Sequence, residues 1–169
     1  MTSERYSYFG SFVHSPYQEG EHKFALVRVI SSTPSKTTIQ GTRWRPSYAS
    51  LRRGLPTILR APLVGPPERG HDATEVMGRP VRWEVPNGFI DVLYEITDPT
   101  AWQNIQSGAW HDVSPEVSAL AQHKEDSIVV LDSWSFDHVA FVPQGAFEDA
   151  EVIDWFVGDP GAPVRLAGE

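Results

Sequence analysis

The chain carries six histidines and no cysteine, and those two counts narrow the chemistry open to it. Without cysteine there is no thiol nucleophile, no disulfide scaffold and no thiolate zinc site. Three histidines adjoin aspartate, in His71-Asp72, His111-Asp112 and Asp137-His138; the others are His14, His22 and His123. Metal-dependent phosphohydrolases use His-Asp pairs as ligands, usually from helices where ligands recur at fixed spacing. Here each pair falls in a predicted loop or strand. No His-x-x-x-His and no clustered carboxylates accompany them, so no metal and no other cofactor is expected. The other route is a hydroxyl nucleophile. Serine needs a base at neutral pH, commonly histidine, and a third group that orients the imidazole and stabilises its cation. Ser114, in Val113-Ser114-Pro115, is the candidate, with His71 and His138 as its partners. It lies outside any Gly-x-Ser-x-Gly elbow, so an α/β-hydrolase reading fails.

Three stretches must therefore meet: 70–72, 108–117 and 136–142. Between the first two, residues 78–85 and 88–96 read as strands joined by Pro86-Asn87-Gly88, a strong hairpin signal. Asp98 then caps a helix, Pro99 takes its first position and Gly108 ends it, with Ala101, Trp102 and Ile105 on one face. Residues 111–120 read as the strand carrying Ser114, 122–126 as a polar turn, and 127–132 and 135–142 as further strands. Upstream, residues 24–30 form an apolar, partly β-branched strand. Residues 37–44 alternate and could be its hairpin partner. Residues 46–53 before Gly54 could form a short helix, and 57–64 look extended before Gly65-Pro66-Pro67 breaks them. Residues 1–23 read as a loose arm or edge segment, and 146–156 as a short amphipathic helix with Val152, Ile153 and Phe156 on one side. The stretch 158–169 reads as a linker-like tail, leaving 1–157 as one domain.

Composition agrees with a β-rich interior. The 169 residues are 40% hydrophobic and include six Trp, eight Phe and five Tyr, which pack well on pleated surfaces. The formal net charge of −8 repels phosphate backbones, so nucleic acid is not an expected partner. The arginines at 43, 45, 52, 53 and 60 read as solvated side chains. No apolar run approaches the ~18–20 residues that span a bilayer, and the N-terminus has no signal-peptide core, so a soluble cytoplasmic protein without membrane contact is expected.

The succession Gly-His-Asp (70–72), Gly-Arg-Pro-Val (78–81), Asn-Gly-Phe-Ile-Asp-Val (87–92), Ala-Trp-Gln-Asn-Ile-Gln-Ser-Gly (101–108), Val-Ser-Pro-Glu-Val (113–117) and Asp-His-Val-Ala-Phe-Val-Pro (137–143) resembles the tailed-phage prohead proteases. These capsid maturation enzymes are related to the herpesvirus assemblins. The likeness covers about half the chain, from Pro62 to Val152. It implies a mainly β fold with peripheral helices (α+β), built on an assemblin-like, mostly antiparallel β-barrel core, in a protease-like domain. It implies His71 as general base, Ser114 as nucleophile and His138 as third member, where the family places His or Glu. The implied activity is cleavage of scaffolding and major capsid precursor segments, and of itself, in an assembling procapsid in the host cytoplasm, by a homo-oligomer. Two positions depart from the pattern. Ser114 is followed by Pro115-Glu116 where many members have Ile or Val and then Gly, and no arginine follows His138 before Arg165. These departures motivate the alternative of a catalytically inactive, capsid- or scaffold-associated module. A small-molecule-binding barrel is a third reading, motivated by aromatic content alone.

Overall fold

The computed structural model describes residues 22–31, 35, 41–85, 88–145, 147 and 149–158. The N-terminal arm up to residue 21, residues 37–40 of the expected second strand and the tail beyond Gly158 lie outside them.

The strands are β1 (His22–Ser31), β2 (Arg43–Pro46), β3 (Leu63–Gly65), β4 (Glu75–Glu84), β5 (Phe89–Ile96), β6 (Asp112–Glu125), β7 (Ile128–Val142) and β8 (Glu151–Gly158). Helices α1 (Ser50–Ile58) and α2 (Pro99–Ser107) lie at the periphery, and a 3-10 turn spans Pro67–Asp72. The strand order is β2-β7-β3-β4-β5-β1-β8-β6, and β6 pairs back onto β7. That last pairing closes seven strands into a barrel with β2 outside the ring, so the protein is mainly β with peripheral helices. Among the described residues all pairings are antiparallel except β2 with β7 and β3 with β7. The interior is filled by alternating residues: Ala25, Val27 and Val29 from β1, Ile90, Val92 and Tyr94 from β5, Val113 from β6, and Val139 and Phe141 from β7. Burying each larger apolar side chain contributes about 1.5–3 kcal/mol. The fully buried Tyr94 hydroxyl donates to the Ala61 carbonyl at 3.2 Å, as a phenol taken from water must.

Several sequence expectations hold. The strand at 24–30 is β1, and 78–85 and 88–96 become the antiparallel pair β4–β5. In α2, Asp98 Oδ2 accepts from the Ala101 N–H at 2.9 Å and Gly108 takes φ 82°, while Ala101, Trp102 and Ile105 are buried.

Four expectations are corrected. Residues 43–46 pair in parallel with β7 rather than forming a hairpin with β1. Helix α1 does not stop before Gly54; it starts at Ser50 and runs to Ile58, so residues 57 and 58 are helical and only Leu63–Gly65 is extended. Gly54 is inside the helix because Trp134 packs against it: a Cβ there would meet the Trp134 ring at 2.5 Å. The segments 127–132 and 135–142 are one strand, and β6 continues to Glu125 before turning at Asp126, φ 56°. The expected C-terminal helix is instead strand β8, which pairs with β1 along its length and stacks Phe156 on Phe24 at 5.3 Å between ring centres. Its β-branched and aromatic residues suit a ladder with a waiting edge better than a short helix. Val152 faces the main core while Phe156 and Ile153 join the outer cluster of Phe24, Leu26 and Leu93.

Candidate active site

Two adjoining strands form the base of the site. In the β6–β7 ladder Ser114 faces Ala140 and Glu116 faces His138. Val113 points into the core, so Ser114 and Glu116, two residues apart, project from the outer surface. The second histidine arrives on a loop. Strand β3 runs parallel to β7, with Leu63 beside Val139 and Val64 beside Ala140, and the Val139 N–H donates to the Pro62 carbonyl at 2.9 Å. This delivers the following turn onto the outer face of β7. There Val64, Ala73 and Ala140 form a small buried cluster with Val142 against it, which pins both ends of the turn. Gly70 breaks the turn with φ 53° and ψ −133°, a conformation in which a side chain would be strained, and the chain then presents His71.

The three residues singled out from the sequence meet. His71 Nε2 lies 3.0 Å from Ser114 Oγ, and His71 Nδ1 lies 2.9 Å from His138 Nε2. The rings of His71 and His138 are 5.1 Å apart and tilted by 46°. Ser114 is buried, at 7% exposure, beneath a partly exposed His71. Burial holds the His71 imidazole below the usual histidine range of about 6.5, Glu116 pulls it back up, His138 pushes it further down, and Asp72 opposes. The group thus favours its neutral form, which a base must have.

Sequence reasoning overlooked Glu116. Its Oε1 sits 3.4 Å from His71 Nδ1, the same atom that meets His138. The signal available was positional: a residue two beyond a strand-borne nucleophile shares its face. The three His-Asp pairs turn out unlike one another. His111 and Asp112 do pair, at 2.7 Å. Asp137 instead accepts from Ser118 Oγ at 2.7 Å, and Asp72 acts on His71 only through its charge. The arginines are partly engaged, Arg45 with Glu125 at 3.0 Å and Arg53 with the Asp132 carbonyl at 2.7 Å. Pro115 has no N–H, so the residue after Ser114 has no amide to offer a developing oxyanion.

Comparison of the chain with family models, with curated proteins and with solved structures finds no match. Among the described residues no helix is long and apolar enough to cross a membrane.

Proposed function

We propose that this protein is a serine endopeptidase of the prohead and assemblin type, acting through Ser114, His71 and His138. The observation that carries the reading is the placement of His71, with one ring nitrogen on Ser114 Oγ and the other on His138. With His71 neutral and its proton on Nδ1, Nε2 is free to accept the Ser114 proton as Oγ attacks a peptide carbonyl. The Nδ1–H donates to His138 Nε2, which fixes the tautomer and steadies the imidazolium formed. That imidazolium then gives its Nε2 proton to the leaving amine. Water, deprotonated by the same nitrogen, releases the acyl group from Ser114. Substrates would be scaffolding and capsid precursor segments and the protein's own extended form, inside an assembling procapsid in a host cytoplasm. A neutral third member orients His71 less strongly than a carboxylate, and a slow enzyme suffices where enzyme and substrate are confined together.

A second reading, an inactive scaffold module of the same fold, is favoured by Pro115, which removes one oxyanion donor. A fluorophosphonate probe separates the two. Labelling at Ser114, lost in Ser114→Ala, together with processing of a co-expressed precursor by mass spectrometry, supports the protease. No labelling in any oligomeric state supports the inert module.

A further inference from the structure

We propose that His71, Glu116 and His138 together bind one zinc ion, and that the ion switches Ser114 off. The site rests on geometry alone, whereas its effect on Ser114 rests on the serine hydrolase reading above.

Two donors converge on one atom. His138 Nε2 and Glu116 Oε1 approach the same nitrogen, His71 Nδ1, at 2.9 and 3.4 Å, and the three donors lie within 4.8 Å of one another. Donors about 2.0–2.1 Å from a tetrahedral zinc stand roughly 3.3 Å apart, so the two measured edges straddle that value. Two imidazoles and a carboxylate are a donor set zinc accepts, with water in the fourth position. The scaffold is rigid where it matters: Glu116 and His138 face one another across a strand ladder, and the buried Val64–Ala73–Ala140 cluster holds the turn that carries His71. All three side chains sit on the outside of the barrel, where an ion can reach them.

A second cluster, His111, Asp112 and Glu151, has donors within the same mutual reach but the opposite arrangement. Asp112 Oδ1 meets His111 Nδ1 at 2.7 Å and Glu151 Oε1 meets Nε2 at 3.0 Å, on opposite edges of the ring. The other Asp112 oxygen accepts the Gly145 N–H at 3.0 Å. Its carboxylates are already occupied by the imidazole and the backbone and do not meet at one nitrogen.

The effect on Ser114 follows from tautomerism. Zinc takes the lone pair of His71 Nδ1, so the single proton of the neutral ring must move to Nε2. Nε2 then points an N–H at Ser114 Oγ and has no lone pair to receive the serine proton. No proton is gained or lost in the shift, yet the base is removed.

The test is calorimetric titration of the full chain with zinc chloride near neutral pH, with circular dichroism to confirm that each variant is folded. One zinc per chain is expected. Glu116→Gln and His138→Gln should each weaken binding about tenfold or more, since even residues that only support a metal ligand cost 10–100-fold. His111→Ala should bind as the parent does. Equal binding by Glu116→Gln, or loss of binding in His111→Ala, overturns the site. In a second arm, zinc should slow fluorophosphonate labelling of Ser114 by about 10²-fold, the worth of a general base, and a chelator should restore it. Zinc bound with labelling unchanged overturns the switch. An absence of labelling even without zinc removes the hydrolase reading and the switch together, while the titration still decides the site.

Discussion

His71 and His123 both use two ring nitrogens, yet their protonation is pushed in opposite directions. His71 lies against the barrel wall between an alcohol and another imidazole, and burial lowers its pKa. His123 stands on the exposed far half of β6, with Asp132 at 2.5 Å and Glu125 at 2.8 Å on its two nitrogens, and the hydrogen bonds to Glu125 and Asp132 raise its pKa. His111, between Asp112 and Glu151, repeats the second arrangement. The carboxylates on either side of His123 favour its cation, so the ring serves as an ion-pair centre. A histidine with an uncharged hydroxyl on one nitrogen keeps a lone pair available. Nearness to acidic residues along the sequence does not separate the two cases; burial of the ring and the hydrogen-bond partners at its nitrogens do.

The sharpest break in this comparison is removal of the alcohol. Ser114→Ala should reduce precursor cleavage on the order of 10⁴-fold or more, read by mass spectrometry after co-expression, and His71→Ala should cost nearly as much because the pair acts as a unit. Unchanged processing in Ser114→Ala would assign the activity to another group. Ala removes one oxygen from a buried strand position, so the fold should survive, as thermal unfolding can verify.

Replacing the third member has a smaller effect. His138→Ala should lower the rate of Ser114 labelling about 10²-fold, since the base remains but its tautomer is no longer held. His138→Glu should recover part of that loss, because a carboxylate can also accept from Nδ1. A rate unaffected by His138→Ala would show that Glu116 alone orients the ring.

The opposed shifts can be read directly by NMR titration of the histidine ring carbons. His71 should show its midpoint below 6.5 and His123 above it. The acid limb of kcat/KM should follow His71 and also fall below 6.5, since only the neutral ring accepts the serine proton. The linkage signs differ accordingly. His123, raised in the folded state, stabilises the fold below its ordinary value, and that contribution fades as pH rises through the raised one. His71, lowered, contributes above its ordinary value, and the contribution fades as pH falls through the lowered one. Denaturant midpoints of His123→Ala should therefore trail the parent in mild acid and match it in mild base.

The smallest effect is expected at the carboxylate-flanked pair. His111→Ala should leave labelling of Ser114 unchanged and cost about 1 kcal/mol or less by denaturant unfolding, as befits an exposed ion pair. A large loss of labelling there would move the site toward the β6–β8 edge.

The sequence by itself determined whatever depends on near neighbours. Helix α2 is written in Asp98, Pro99 and Gly108, because capping bonds and left-handed termination act within a few residues. The antiparallel β4–β5 pair follows from the apolar strands on either side of Gly88, and Ser114, His71 and His138 are visible as residue types whose chemistry could combine. Tertiary structure decided whatever depends on distant partners. Nothing near Gly54 says that Trp134 will press against it and let a helix run through. Nothing in Glu151–Gly158 says that β1 offers an open edge, so a pattern compatible with a helix became a strand. Glu116 belongs to the same group. Its face is fixed by strand periodicity, but its meeting with His71 depends on β3 docking beside β7 and carrying a distant turn over it. Capping and turn chemistry are local energies, whereas ladder pairing and ring packing join residues far apart in the chain, and the partners at both ring nitrogens of His71 are of the second kind.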